Sequence, residues 1–322
     1  MSGAGPPLAM TRPPKTAPGE QSRTALSASR RTEMVAHYPD RLAEAIEAFG
    51  RQRVHSLVVW TKDPRNLLEH GRLCQVASSL PQTFVHWTVT GLGGSALEPN
   101  VPPAEALLPL LPKLIEWLGS PERLHWRFDP LVEVNGSEGS LGNVDLELFR
   151  RLAQEFAREG IGVVRTSFVT LYPKVVRRLA AAGLAPRDFT LEERVRLLAG
   201  MGEIAASLGM QLLTCCEPLG VCPPGKPGFP RQACIDGRLL ARLHPQREPC
   251  SQRRARGQRP LCGCTESFDV GHYLRCPNGC LYCYAQPASG KDQGGRMRDE
   301  GKGASPPPSS LSLHPSSFRD GG

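Results

Sequence analysis

Ser56-Leu-Val-Val-Trp-Thr-Lys62 is a short apolar, β-branched run that stops at Asp63-Pro64, after which Leu67 and Leu68 begin a short helix. A strand feeding a helix start is one β/α unit, and the unit recurs on both sides. Upstream, Thr24-Ala-Leu-Ser-Ala-Ser-Arg-Arg31 reads as a buried strand running into a loop, and Asp40 to Gly50 sets Leu42, Ile46 and Phe49 on one helical face. Downstream come the strand Phe84 to Thr90, an apolar helix opened by Pro102-Pro103, and the strand Leu124 to Pro130. Asn143 to Glu159 forms an amphipathic helix with Leu146, Phe149, Leu152 and Phe156 toward the core. A strand from Ile161, a helix from Leu191 to Leu208 and the strand Gln211 to Glu217 complete the series. Right-handed crossovers between such units imply a parallel sheet with helices outside it. The expected fold is α/β, a TIM-barrel-like or partial (β/α) barrel over 24–217. An irregular cysteine-rich segment, 218–285, follows it. Residues 1–22 read as a disordered leader and 286–322 as a disordered, Gly, Ser and Pro rich tail.

With 322 residues and 40% hydrophobic composition the chain can bury a substantial core. Eleven cysteines would suit disulfides in a secreted protein, but no charged start with an apolar run behind it is present, and the cysteines cluster at ligand-like spacings. A reducing cytoplasm is the expected location. No apolar run approaches the roughly 18 residues of a membrane span. The net charge of +8 is spread over many arginines. Its densest patch, Arg253, Arg254, Arg256 and Arg259, reads as a solvated basic loop or as a docking site for nucleic-acid phosphate. Gly91-Leu-Gly-Gly94 lacks a Walker lysine and a complete dinucleotide fingerprint, so it reads as a backbone turn rather than a phosphate loop.

Chemistry concentrates in Cys276-Pro-Asn-Gly-Cys280-Leu-Tyr-Cys283-Tyr-Ala285. Three thiolates on a tight loop suit three corners of a four-iron (4Fe-4S) cluster, with a zinc knuckle or a structural cluster as the alternative. The fourth iron would stand open, and S-adenosylmethionine (SAM) can chelate an open iron through its amino and carboxylate groups. With Tyr282 before the last cysteine, the spacing resembles the signature of the radical SAM superfamily. Cys215, Cys234, Cys262 and Cys264 form a second group for an auxiliary iron-sulfur cluster or a structural zinc, or else unligated buried thiols. Cys74, Cys216, Cys222 and Cys250 receive no role.

In barrels of β/α units, functional groups gather on loops after the strands' C-terminal ends. That rule selects Arg30, Arg31, Trp60, Lys62, Thr90, Arg127, Asp129, Ser167, Cys215 and Glu217. Arg30, Arg31, Lys62, Asp129 and Glu217 are the expected catalytic and charge-binding residues; Thr90, Arg127, Ser167 and Tyr282 are expected against the cofactor. Trp60 reads equally as core, and Arg127 with Asp129 as a stabilising pair.

Several stretches in order, Ser27 to Thr32, Trp60 to Pro64, Thr88 to Gly91, Glu98 to Pro102, Trp126 to Pro130, Cys234 to Gly237, Cys262-Gly-Cys264 and Cys276 to Ala285, resemble the bacterial family known as domain of unknown function 1848. The resemblance covers about residues 24 to 285. It implies no established reaction. The cysteine loop looks like that of radical SAM enzymes and is similar in flavour to the spore photoproduct lyase group, although here the loop comes last instead of after the first strand. The family tends to carry an acidic residue where this chain has Thr170. The resulting expectation is an iron-sulfur enzyme that reductively cleaves SAM, supplied with electrons by a donor such as a ferredoxin or flavodoxin. The alternative is a non-catalytic zinc or iron-sulfur module contacting nucleic acid.

Overall fold

The computed structural model describes residues 23–217, 233–259, 261–271 and 274–285. Its centre is a parallel sheet of seven strands: β1 (Thr24–Ala28), β2 (Val54–Thr61), β3 (Thr83–Thr88), β4 (Leu124–Arg127), β5 (Val163–Thr166), β6 (Gln211–Thr214) and β7 (Phe268–Asp269). Strands β1 to β6 lie side by side in chain order, and β7 returns to the free edge of β1, where Leu26 aligns with Phe268. Crossovers that always step the same way leave their helices on one face. There α1 (Pro39–Phe49), α2 (Gly71–Ser78), α3 (Leu111–Leu118), α4 (Leu146–Arg158) and α5 (Leu191–Ser207) pack on Leu57, Val59, Val85, Trp87 and Trp126. Trp126 stacks on Phe156 and Phe149 of α4, at 4.8 and 5.3 Å between ring centroids. Leu146, expected in this core, is 37% exposed, because it stands at the first turn beside the Asp145 cap.

The closed TIM barrel is not formed. Among the described residues no ladder joins β6 to β7, so the sheet is open. The strand-helix alternation ends at β6, and described residues beyond 233 cover the sheet's second face. Ala25, Val58, Trp60 and Phe84 on that face meet Ile235, Leu240 and Leu243 of the C-terminal segment. Covered on both sides, β2 is buried at all of its positions, as a parallel strand requires.

Polar contacts fix the covering segment. Gln82 donates to the Leu240 carbonyl at 2.8 Å, and Nε2 of His86 lies 2.7 Å from the Cys234 carbonyl. Burial, reinforced by nearby Arg165, pushes His86 down to about 3, so it stays neutral. Helix α6 (Gly237–Leu243) starts at an Asp236 cap that accepts the Arg238 and Leu239 N–H groups. A Cβ on Gly237 would stand 2.0 Å from the Ser251 carbonyl oxygen, so only glycine allows this approach. No helix among the described residues is long and apolar enough to cross a membrane.

Candidate functional site

The last described stretch, 274–285, is held by the loops that follow β1 and β3. Thr32 donates to the Leu274 carbonyl (2.7 Å), Tyr38 to that of Arg275 (2.6 Å) and Asn100 to that of Pro277 (2.8 Å). The Leu281 N–H reaches the Leu97 carbonyl at 3.0 Å, and Arg178 donates to the carbonyls of Leu281 and Cys283 at 2.9 and 2.8 Å. Gly279 takes the left-handed φ of 67° that the turn between Cys276 and Cys280 needs.

Thus Cys276, Cys280 and Cys283 are gathered on one fixed loop, close enough that each of the other two acts on Cys280. Backbone N–H groups of Glu33 and Asn278 face the Cys276 sulfur, and that of Ala285 lies 3.4 Å from Cys283 Sγ. Burial pushes Cys280 up to about 12, although adjacent Lys62 pulls the other way. A metal that replaces the thiol protons would relieve this desolvation, and the N–H groups would support the thiolates.

Beneath the loop lies a buried polar knot. Glu98, 1% exposed, accepts from Lys62 Nζ at 2.8 Å, from the Thr90 hydroxyl at 2.7 Å and from the Tyr282 hydroxyl. Glu33 accepts the Lys62 and Ala36 N–H groups at 2.8 and 3.3 Å, and burial raises it to about 7.

Beside the loop opens a cavity of about 430 Å³. Arg30, Arg31, Arg127 and Arg259 line it, and Asp129 is the acidic residue among its walls. Asp129 pairs with Arg127 and accepts the Ser167 hydroxyl. The Arg30 guanidinium sits 5.2 Å over Trp60, which is stacked on His86. Nε and Nη2 of Arg30 and Nε of Arg127 are buried without a partner. Such a cavity suits a ligand with anionic groups.

Cys283 and Tyr282 form part of the cavity wall, and so do Cys215, Cys216, Cys234, Cys262 and Cys264. Cys215 Sγ lies 4.0 Å from both Cys216 Sγ and Cys234 Sγ. Cys234 also meets Cys264, Cys264 meets Cys262, and Cys262 meets Cys216. The contacts close into a ring of sulfurs. Cys216 enters it from a left-handed φ of 57°. Within the ring, contacts with neighbouring thiols hold Cys234 and Cys262 low and push Cys215 and Cys264 up. Among the described residues no group of three or more His, Cys, Asp or Glu side chains is already arranged as a metal-ion site.

Of the residues selected from sequence, Arg30, Arg31, Arg127, Asp129, Ser167 and Tyr282 meet at the cavity, together with Trp60. Lys62 and Thr90 turn instead to Glu98. Glu217 accepts the Phe168 N–H at 2.8 Å and faces Arg194 at 3.5 Å, outside the cavity wall. The sequence reading missed Cys216, Glu98, Glu33 and Tyr284, the last a cavity residue whose hydroxyl donates to the Arg30 carbonyl at 3.1 Å. The Cys215-Cys216 dipeptide and the need of a buried Lys62 for an anion were the available signals. Cys222 lies outside the described residues. Cys250 stands apart from the ring, its thiol pushed up to about 11 by burial.

A comparison with curated proteins gives no match. The family model described as domain of unknown function (DUF1848) matches residues 46–285, about three quarters of the chain, and takes in both cysteine groups. The chain belongs to the DUF1848 family.

Proposed function

We propose that this protein is an iron-sulfur enzyme of radical SAM type, acting on a substrate that carries anionic groups. The observation that supports it best is the position of the three-cysteine loop. The loop sits on the segments following β1 and β3, and its Cys283 forms part of a cavity in which Arg30 and Arg127 hold unpartnered N–H groups. Although last in the chain, the loop is brought beside the end of the first strand. The sheet is open, with β6 and β7 at its two edges among the described residues. Three cysteines on a rigid turn with N–H groups aimed at sulfur are a suitable donor set for three corners of a 4Fe-4S cluster. When bound, such a cluster supplies an open iron for SAM and the electron that cleaves it.

The chain's own residues bind, orient and exclude water. Arg30 and Arg127 take the carboxylate of SAM or a charged group of the substrate, and Asp129 orients Arg127 while accepting from Ser167. Tyr282, tied to Glu98, fixes the backbone between Cys280 and Cys283. Lys62 places a positive charge beside Cys280. The reaction requires a one-electron donor of the ferredoxin or flavodoxin class and a reducing compartment, the cytoplasm.

The test is iron content and an EPR spectrum of anaerobically purified, dithionite-reduced protein, with and without SAM, beside Cys280→Ala. A four-iron signal that shifts with SAM and is lost in the variant supports the proposal. A cluster indifferent to SAM sinks it.

A second reading is a non-catalytic metal module that contacts nucleic acid through exposed Arg253 and Arg256. In its favour, Cys262 and Cys264 pack inside an apolar cluster with Ile235 and Leu240, as structural ligands do. Stoichiometric zinc and no SAM binding would select it.

A further inference from the structure

We infer that the sulfur ring of Cys215, Cys216, Cys234, Cys262 and Cys264 holds a second iron-sulfur cluster, facing the Cys283 loop across the shared cavity, so that substrate lies between two metal centres. It extends the reading of the first loop but stands on separate residues.

Three separate segments supply the ring: Cys215 and Cys216 on the turn after β6, Cys234 ahead of α6, and Cys262-Gly-Cys264. Convergence of five soft donors from three segments is what a thiolate-bound centre needs and what apolar packing alone does not require. His86 cannot join them through Nε2, which is engaged with the Cys234 carbonyl.

The spacing of the sulfurs suits ligation. The 4.0 Å separations at Cys215 are close to the edge of a metal–thiolate tetrahedron with bonds of about 2.3 Å, so neighbouring thiols of the ring can share one metal atom.

Charge points the same way. Arg165 is 3% exposed with Nη1 buried and unpartnered, and it acts on Cys234 from its position on β5. Arg259 reaches Cys215 Sγ at 3.6 Å, and Arg127, with its unpartnered Nε, also acts on Cys215 and Cys234. Asp129 is the acid that Arg127 and Arg259 face on the cavity wall. A cluster held by four thiolates carries net negative charge and would supply the missing anion. The Ile235 N–H at 3.5 Å from Cys264 Sγ adds the kind of hydrogen bond that tunes such centres.

Four corners among five thiols leave one spare, and the adjacent pair Cys215 and Cys216 is where a substitute lies at hand. The experiment is anaerobic reconstitution of the full chain with iron and sulfide, followed by metal analysis and EPR. It compares the wild type, a Cys276→Ala/Cys280→Ala/Cys283→Ala variant and a Cys262→Ser/Cys264→Ser variant. The triple variant should keep about half of the iron, in a reducible cluster indifferent to SAM. The double variant should keep the SAM-sensitive signal alone. Should the double variant fail to fold by circular dichroism, Cys215→Ser/Cys216→Ser serves in its place. Complete loss of iron from the triple variant overturns the second cluster and leaves the first standing; one zinc per chain in that variant overturns it as well. If the triple variant retains all the iron, the second cluster stands and the reading of the first loop falls.

Discussion

Lys62 and Glu98 form an ion pair of 2.8 Å, with Glu98 1% exposed, and Cys280 lies within the field of both. The same carboxylate accepts from Thr90 and Tyr282, so one buried charge ties the ends of β2 and β3 to the cysteine loop. Removing one member of a buried pair leaves the other charge uncompensated, at a cost of about 3–5 kcal/mol. Glu98→Gln should therefore lower the unfolding free energy by about 3 kcal/mol in urea titrations, and Lys62→Met/Glu98→Gln should recover part of that loss. A loss below about 1 kcal/mol would mean that the knot does not anchor the loop.

Arg30 offers the clearest test of ligand binding. Its Nε and Nη2 are buried and unpartnered, its position is set by Trp60, and it lines the cavity beside Cys283. Hydrogen bonds to charged groups contribute about 1.5–3 kcal/mol, which is roughly ten- to hundredfold in affinity. Arg30→Met should weaken SAM binding by at least about tenfold in calorimetry while iron content stays at the wild-type level. Unchanged affinity would take Arg30 out of the site.

Parts of this architecture are visible in the sequence for physical reasons, and parts are not. The run Val54–Thr61 announces a strand because both faces are covered and apolar residues can stand at every position. Glu133–Gly136 and Gly139–Gly142 build a small antiparallel sheet with one apolar residue each, so no alternation marks them. The helix Pro173–Ala181 did carry a signal, Val175 and Leu179 four apart and buried. Strand β7 has two residues, and only its pairing with β1 makes it a strand. Barrel closure depends on what reaches the open edge of β6, which a count of β/α units does not determine. At the site, spacing locates Cys276, Cys280 and Cys283 because ligand loops are local. Cys216 joins a ring that closes through residues far apart in sequence, and no spacing rule reaches that far. Lys62 and Glu217 occupy the same strand-end positions as Arg30 and Asp129, yet their tertiary partners, Glu98 and Arg194, draw them away.

Gly237 controls how the covering segment docks. The Ser251 carbonyl oxygen would lie 2.0 Å from an added Cβ, and the Gly237 N–H donates to Thr265 at 3.0 Å. Backbone on both sides must move to admit a methyl group, and overpacking of this kind costs about 1–3 kcal/mol. Gly237→Ala should destabilise the chain by that amount and, since α6 lies between Cys234 and Cys262, reduce iron in the second site more than in the first. Equal loss from both sites would show a global effect rather than a local one.

Glu33 should give the protein without metal a distinctive pH dependence. Burial is the dominant influence and raises it from 4.5 to about 7; the Lys62 and Ala36 N–H groups oppose the rise, and nearby Asp63 adds to it. The folded chain therefore holds this proton more tightly than the unfolded chain does. The stabilisation is fully present below pH 4.5, declines as pH rises through the window up to about 7, and is gone above it. The whole change amounts to about 3 kcal/mol. Glu33→Gln cannot ionise, so its stability should lack this decline and exceed that of the wild type most clearly at pH 8. Urea titrations of both proteins at pH 5 and pH 8 measure the difference. Parallel behaviour of the two would show that Glu33 ionises in the folded chain as readily as in water.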